Sequence, residues 1–268
     1  MSRPAVLLTR RVPASVLARL EERCAVEVYG GADAIPGAEL KARVADKQAL
    51  MCLLTDRVDG AVLDAGPGLR IVANIAVGFD NIDLVAARAR GVVVTNTPDV
   101  LTEATADFTW GLILAVTRRI AEGERLLRRG AWEGWALDFM LGSDLGGKQL
   151  GIVGLGRIGR AVAARAGAFG MRVAFTTIGA GAAEPGAADG AWTSLNLDEL
   201  LSSSDVVTLH VPLTPDTRHL IDRRALLRMK RRAYLVNTSR GPIVDEAALA
   251  WALGEGLIAG AALDVYEQ

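Results

Sequence analysis

Three glycines in the second half of the chain have the spacing of a phosphate-binding turn. Gly154, Gly156 and Gly159 form the pattern G-x-G-x-x-G, directly after an apolar run and directly before a helical pattern. There, glycines allow a tight turn, a close approach of the backbone to a pyrophosphate and close helix–strand packing. The following helix would direct its first N–H groups at the phosphates. The pattern predicts a dinucleotide site; S-adenosylmethionine is a rival ligand, and a glycine turn without a ligand is the remaining alternative.

The end of the next strand bears on the choice between NAD and NADP. An acidic residue there would bind the ribose 2′-hydroxyl of NAD, whereas a nearby arginine would bind the 2′-phosphate of NADP. This chain has Thr176, Thr177 and Ile178 at that point, and so neither charge. Thr177 can donate a hydrogen bond to a hydroxyl or a phosphate, and nothing repels the phosphate. The sequence therefore favours NADP slightly over NAD.

Two blocks of alternating strand and helix patterns must position these residues. In the first block, strands are predicted at 5–10, 25–29, 49–54, 70–75 and 92–96, with helices at 13–23, 37–46 and 83–90. In the second, strands are predicted at 150–154, 172–177, 205–211, 233–237 and 259–265, with a glycine-rich connector at 179–190. Such alternation indicates parallel sheets. The predicted fold class is α/β, with two doubly wound parallel-sheet domains over 1–99 and 100–268.

Two helices flank the glycine turn in this prediction. The first is long, with Thr102 as its N-cap and Glu103 in its first turn. Its apolar stripe is predicted to consist of Phe108, Leu112, Ala115 and Ile120. The helix after the glycines ends at Gly170 and carries Ile158, Val162, Ala166 and Phe169 on one face.

Composition excludes several classes of protein. The 268 residues carry a net charge of -1 without a basic cluster, which argues against a nucleic-acid partner. No apolar run is long enough to span a bilayer, and no targeting segment is visible. Cys24 and Cys52 are interpreted as buried thiols in a reducing compartment, so we expect a cytoplasmic location.

Several longer motifs resemble one family. VGFDNID (77–83), NTPDVLTEATAD (96–107), GIVGLGRIGRAVAARAGAFGM (151–171), SDVVTLHVPLTPDTRHLI (204–221) and NTSRGPIVDEAALAWAL (237–253) are similar to the D-isomer-specific 2-hydroxyacid dehydrogenases. EGWALDFMLGSDLGGKQLGI and CLLTDRVD most resemble glyoxylate/hydroxypyruvate reductases. The resemblance implies a flavodoxin-like substrate domain, a Rossmann NAD(P)-binding domain, and hydride transfer between NAD(P)H and a short 2-oxo acid.

The resemblance also implies roles for individual residues near the substrate. Arg240 would be the catalytic arginine, because a fixed guanidinium can bind a 2-oxo acid bidentately and polarise its carbonyl; a surface arginine is the alternative. Ala76, Val77 and Gly78 would offer backbone N–H groups to the substrate carboxylate, with Leu54 close by. An ordinary turn between strand and helix is the alternative there.

A larger set of residues would hold the cofactor by the same resemblance. These are Gly154, Leu155, Gly156, Arg157, Ile158 and Gly159 at the pyrophosphate, Val211 and Pro212 at the adenosine, Thr105, Thr238 and Asp264 at the nicotinamide, and Thr217 and Ser239 elsewhere in the cofactor site. For Asp264, a cap at the end of a strand is an equal alternative. No metal site is predicted.

The family's general acid/base is a histidine held by a glutamate. By the family pattern, this glutamate falls just beyond Gln268 and the histidine further on, as do the helix that completes the first domain and the last strand of the second. We expect the sequence to be a partial record of a complete enzyme; a chain that ends at Gln268 with impaired chemistry is the alternative. His210 is interpreted as structural and His219 as part of a turn or helix start, so neither is expected to be the catalytic base.

The resemblance leaves the partner and the substrate open in part. It implies a homodimer through the long helix and the loop before the glycines, with Trp110, Trp132, Trp135 and Phe139 as interface candidates, or else as core residues. One alternative function is a non-catalytic dinucleotide-binding interaction protein. Another is a relative that acts on phosphoglycerate, lactate or a longer 2-oxo acid; phosphoglycerate would need cations such as Arg10, Arg11 and Arg57.

Overall fold

Alternating strands and helices build one sheet in each of two units of this computed structural model, Met1–Val100 and Leu101–Gln268. The structure describes residues 3–179 and 192–267. Nearly all of the connector predicted at 179–190 lies outside the described residues. The structure thus has two α/β domains, each with a parallel sheet, and this confirms the predicted α/β fold class.

The sheet of the first unit has five parallel strands in the order β2-β1-β3-β4-β5. This order is that of flavodoxin-like sheets. Apolar residues from the strands and helices form its core, with Leu7, Leu50 and Val72 fully buried. The elements are β1 (Ala5–Leu8), α1 (Ala14–Glu21), β2 (Ala25–Val28), α2 (Gly37–Val44), β3 (Ala49–Cys52), α3 (Gly60–Ala65), β4 (Ile71–Asn74), α4 (Leu84–Ala89) and β5 (Val93–Thr95).

The sheet of the second unit has six strands in the order β11-β10-β9-β6-β7-β8, again all parallel. Counted from β6, this is the Rossmann order 3-2-1-4-5-6, whose switch point lies between β6 and β9. The elements are α5 (Thr102–Thr117), α6 (Ile120–Arg128), β6 (Gln149–Val153), α7 (Arg157–Ala166), β7 (Arg172–Thr176), β8 (Thr193–Ser194), α8 (Leu197–Ser203), β9 (Val206–Leu209), α9 (Arg223–Arg228), β10 (Tyr234–Asn237), α10 (Glu246–Gly254) and β11 (Gly260–Leu263).

Helix α5 differs from its prediction in its cap and its buried face. Leu101 occupies the N-cap position without a side-chain hydrogen bond, so the capping role predicted for Thr102 is wrong. Phe108 and Ile120 are exposed, and the buried face instead carries Ala106, Thr109, Trp110, Ile113 and Thr117. The threonines fit there because their hydroxyls bond to carbonyls of the preceding turn.

The predicted long helix is also interrupted. Arg119 has a φ of 57°, which ends α5 and starts α6 in a new direction. The prediction for α7 is confirmed, since Val162 and Ala166 are buried and Gly170, with a φ of 65°, follows the short 3-10 turn that ends it.

Aspartate or asparagine caps mark short helices that hydrophobic patterning did not predict. Helices α3, α8 and α9 each begin after a residue whose side chain accepts a hydrogen bond from a backbone N–H three residues on: Asp59, Asn196 and Asp222. Each helix is only six or seven residues long. A segment that short does not show a clear helical period, and the cap is the stronger signal.

Asp205 ties together the starts of three strands in the second unit. One of its carboxylate oxygens accepts a hydrogen bond from Gln149 N at 2.9 Å, and the other lies 3.0 Å from Lys230 Nζ. Its backbone carbonyl accepts from Tyr234 N at 3.0 Å. Burial raises the pKa of the Asp205 carboxyl, but the Gln149 N–H and the Lys230 ammonium lower it by more, and the net shift is downward.

We therefore expect Asp205→Ala to destabilise the protein by about 2 kcal/mol at neutral pH, because Gln149 N–H loses its acceptor. The stability that the lowered pKa supplies is fully present above the unfolded pKa of about 3.9 and is lost as the pH falls through the folded value. Urea unfolding at neutral and acidic pH should show a smaller difference between wild type and variant in acid. Asp198→Ala, which breaks an exposed ion pair with Arg228, is the matched control. An equal loss of stability in Asp205→Ala and Asp198→Ala would contradict the role assigned to Asp205.

Candidate active site

The glycine turn after β6 is shaped by contacts that admit no side chain at two of its positions. Gly154 has a φ of 98°, and a Cβ there would lie 2.6 Å from the carbonyl oxygen of His210. A Cβ on Gly159 would lie 2.1 Å from the Gly154 carbonyl oxygen. The turn is fixed further by Gly154 N, which donates to Thr176 O at 2.8 Å. Two of the three glycines are therefore required by packing within the protein.

The middle glycine is open instead of packed. Gly156 is the N-cap of α7, has no side-chain capping bond, and a Cβ there would meet nothing within 4 Å. The first turn of α7 holds no acidic residue. N–H groups at a helix start attract anions, so this open end fits a pyrophosphate. Leu155 is buried and Ile158 packs on the same core, so both line the turn through their backbone, while Arg157 is exposed.

The predicted adenosine end lies at the ends of β7 and β9. Thr176 and Val211 are buried, whereas Thr177 and Pro212 are exposed and Ile178 is half-buried.

Thr217 has an internal role in the loop after β9. Its hydroxyl donates to Pro212 O at 2.6 Å and accepts from Thr214 N at 2.8 Å, and the residue is buried. These bonds shape the loop that carries Pro212. A direct contact of Thr217 with the cofactor stays a prediction.

The turn that carries Arg240 is held from inside by Asn237. The buried Asn237 side chain accepts from Ser239 N at 3.0 Å and donates to Arg240 O at 2.8 Å. Ser239 Oγ donates to Leu209 O at 2.8 Å, so the turn is also bonded to β9. Arg240 Nη1 donates to the Ser239 carbonyl at 2.7 Å, which orients one side of the guanidinium. A preorganised guanidinium at a strand end suits recognition of a carboxylate or carbonyl oxygen.

The residues predicted at the nicotinamide lie around the same turn. Thr238 Oγ1 is 3.1 Å from Thr109 Oγ1, whose hydroxyl donates to Thr105 O at 2.8 Å. Asp264 is exposed just after β11, and its N–H donates to Asn237 O at 3.0 Å. The structure thus brings Thr105, Thr238 and the Arg240 turn into one hydrogen-bonded group through Thr109, a residue that the sequence analysis did not single out.

The two histidines in the sequence are both engaged elsewhere. His210 is half-buried, its Nε2 lies 2.9 Å from Thr208 Oγ1, and desolvation of its ring lowers its pKa to about 3. His219 Nε2 lies 3.0 Å from a carboxylate oxygen of Glu267, and that contact, with Arg218 adding to it, lowers the pKa of Glu267. No sequence motif predicts the His219–Glu267 pair.

The predicted substrate residues lie at the carboxyl ends of two adjacent strands in the first unit. Leu54 follows β3, while Ala76, Val77 and Gly78 follow β4. All four are half-buried, as a ligand-binding loop requires. Sequence reasoning missed the asparagines that hydrogen-bond to these loops, because no sequence pattern marks them.

An apolar surface cavity of about 320 Å³ lies on α6 and the loop after it, and we call this surface the α6 patch. It is lined by Gly123, Leu126, Leu127, Trp132, Phe139 and Met140. Trp135 and Leu137 beside it are each 81% exposed.

The structure decides between the two alternatives for Trp110 and corrects the expectation that Cys24 is buried. Trp110 lies in the core instead of an interface: it is 4% exposed, stacks on Phe169 at 4.3 Å and donates its indole N–H to Val162 O. Cys24 is only partly buried, whereas Cys52 is fully buried and burial raises the pKa of its thiol to about 12. In the described parts of the chain, no helix has the length and apolarity needed to cross a membrane.

Comparison with known proteins agrees with this geometry. Residues 110–268 match the model of the family described as D-isomer specific 2-hydroxyacid dehydrogenase, NAD binding domain. The chain belongs to this family. The glyoxylate reductase of Thermofilum pendens is 49% identical over 279 residues, a match that covers 100% of this chain and 79% of that protein. That of Thermococcus kodakarensis is 48% identical, covering 99% and 80%.

A solved structure is similar over the same range. The NADPH-dependent glyoxylate/hydroxypyruvate reductase of Sinorhizobium meliloti, in complex with NADP and malonate, is 38% identical with a TM-score of 0.85. The match covers 100% of this chain and 81% of that one. Family membership confirms the predicted Rossmann domain and the predicted cofactor class, NAD or NADP. The roles of individual residues stay predictions.

The closely packed glycine offers a test of the cofactor turn. We expect Gly159→Ala to raise the Kd for NADPH by more than about tenfold, because the new Cβ displaces the Gly154 carbonyl and the turn with it. Titration of NADPH fluorescence measures this directly. Gly167→Ala is the matched control, since a Cβ there meets nothing within 4 Å. Equal NADPH affinity in the two variants would contradict a cofactor role for this turn.

Proposed function

We propose that this protein reduces a short 2-oxo acid, with glyoxylate or hydroxypyruvate as its substrate, by hydride transfer from NADPH or NADH. The observation that carries the proposal is the preorganised Arg240 turn in a Rossmann unit whose glycine turn fits a pyrophosphate. Identity of nearly half the residues with glyoxylate reductases supports the choice of substrate.

The chain's own residues bind and orient the reactants in this proposal. The bound nicotinamide supplies the hydride that C2 of the substrate accepts. The N–H groups at the start of α7 hold the cofactor's phosphates, and Thr238 with Asp264 borders the nicotinamide. Arg240 binds the 2-oxo acid and stabilises the negative charge that develops on its carbonyl oxygen. The carbonyl oxygen also gains a proton, which in this family a histidine held by a glutamate supplies.

The loops after β3 and β4 bind the substrate carboxylate. Ala76, Val77, Gly78 and Leu54 offer backbone N–H groups there, which bind an anion without a competing side-chain charge. A phosphorylated substrate is not favoured, because relatives 48–49% identical to this chain are glyoxylate reductases.

For the cofactor we propose a modest preference for NADPH. Thr177 is exposed at the end of β7 and brings no carboxylate to repel the 2′-phosphate.

We also propose a cytoplasmic location for the protein. Cys24 and Cys52 are both free thiols, and free thiols are typical of a reducing compartment.

Substitution of Arg240 tests the proposed reaction. We expect Arg240→Ala to lower kcat/KM for glyoxylate by about 10²–10³-fold, and Arg240→Lys to recover part of the loss because a point charge replaces the fork. Nicotinamide absorbance follows the reaction with NADPH and NADH, and wild type should show the higher kcat/KM with NADPH. The Kd of the Arg240 variants for NADPH should equal that of wild type. Arg231→Ala, an exposed arginine of the same unit, is the control. Activity of Arg240→Ala within a few-fold of wild type would contradict the role.

We also propose that the α6 patch pairs two copies of the chain. Leu127, Trp132 and Trp135 are 66%, 58% and 81% exposed, which is a large apolar area to leave in water. Aromatic residues of this kind are enriched in the cores of interfaces.

Leu127→Glu should convert a dimer into a monomer, because the interface would then have to bury a carboxylate. Light scattering during size-exclusion chromatography measures the mass. Leu227→Glu, a similarly exposed leucine on α9, should leave the dimer intact. A monomeric wild type, or dimers in both variants, would contradict pairing through this patch.

A further inference from the structure

Successive carbonyl groups in the loop after β4 each have a hydrogen-bond donor. Ala76 O accepts from Thr97 N at 2.9 Å, and Val77 O accepts from the Asn96 side-chain amide at 2.8 Å. Both donors follow β5, the neighbouring strand of the same sheet. The loop is thus held along one side by the segment that follows the adjacent strand.

Two more asparagines extend this arrangement. The buried Asn74 donates to Gly78 O at 2.8 Å and contacts Asn81. The side-chain amide of Asn81 donates to Leu53 O and to Asp56 O, each at 3.0 Å. Asn81 therefore connects the loop after β4 with the loop after β3.

Because the peptide bond is planar, a hydrogen bond to a carbonyl also sets the direction of the neighbouring N–H group. In a trans peptide, the carbonyl of one residue and the N–H of the next point in opposite directions. The donor that holds Val77 O therefore turns Gly78 N–H to the opposite side of the peptide. In the same way, the bond to Ala76 O directs Val77 N–H, and the bond to Leu53 O directs Leu54 N–H. Among the residues that the structure describes, these three N–H groups donate to no protein acceptor. They are three of the four N–H groups assigned above to the substrate carboxylate.

We infer that Asn96 and Asn81 are positioning residues, which fix peptide planes whose N–H groups bind the substrate carboxylate; Asn74 supports them by holding Asn81 and the Gly78 carbonyl. The inference rests on the proposed function for the identity of the anion. The asparagines act only through the loops: their amides hold carbonyls on the protein side, and the N–H groups opposite remain available to an anion. Preorganisation of this kind lowers the ordering cost of binding, so its loss should appear in KM and in anion affinity.

Asn96→Ala is the decisive variant because it removes one donor and no charge. We expect it to raise KM for glyoxylate by about tenfold, with kcat changed far less and the Kd for NADPH unchanged. The methyl ester of glyoxylate, which lacks the carboxylate charge, should show no comparable rise in KM. Asn96→Asp keeps the shape but cannot donate while ionised, so it should weaken glyoxylate binding as well and serves if the alanine variant folds poorly.

Asn196→Ala is the matched control, because it removes an asparagine that caps α8 in the other unit. It should lower stability and leave both KM values as in wild type. Equal KM changes for glyoxylate and its methyl ester in the Asn96 variants would overturn the inference, because only a general loss of structure acts on both.

Oxalate binding measured by calorimetry separates this inference from the proposed function. If wild type reduces no 2-oxo acid, the proposed function fails, but weaker oxalate binding by Asn96→Ala than by wild type still supports the positioning role. If wild type reduces glyoxylate and the Asn96 variants bind both oxalate and glyoxylate as wild type does, the inference fails and the proposed function stands.

Discussion

Backbone N–H groups at the carboxyl ends of parallel strands are the feature on which the rest of this structure depends. Both sheets are wholly parallel, so each gathers its strand ends along one edge. Polar backbone groups are costly to leave unsatisfied unless water or a ligand reaches them. In the second unit, the open start of α7 presents such groups, and in the first unit the loops after β3 and β4 do so.

The two units use different residues to orient the backbone N–H groups at their strand ends. The second unit uses glycines: Gly154 and Gly159 let the backbone fold tightly on itself, and Gly156 leaves open space in front of the helix. The first unit uses asparagines, whose amides hold the loop carbonyls and so set the direction of the N–H groups. Asn237 has an equivalent role beneath Arg240, where one amide satisfies both sides of the turn. Short-range amide bonds of this kind fix a loop without adding charge beside an anion site.

Much of the fold could be predicted because its signals are local. The glycine spacing after an apolar run, and the alternation of strands with helices, depend only on neighbouring residues. The face of α5 could not be predicted in the same way. The apolar stripe through Phe108 and Ile120 was plausible, yet Trp110 and Ile113 face the core, because α7 and the 3-10 turn after it, with Phe169, pack there. Thr109 and Thr117 looked polar, but each satisfies its hydroxyl within the helix.

The candidate site divides in the same way. Arg240 and the glycines were predictable from motifs. Asn74, Asn81 and Asn96 were not, because their partners are backbone carbonyls up to 28 residues away and no periodicity marks them. The bonds that Thr217 makes within its loop, and the pairing of His219 with Glu267, likewise depend on a fold that must form first.

The most direct test of the account is a crystal structure of the protein with NADPH and oxalate bound. We expect the pyrophosphate to lie against the N–H groups at the start of α7. We also expect an oxalate carboxylate to lie within hydrogen-bond distance of Val77 N and Gly78 N. Cofactor bound away from the turn at Gly154–Gly159, or oxalate bound only through side chains elsewhere, would contradict it.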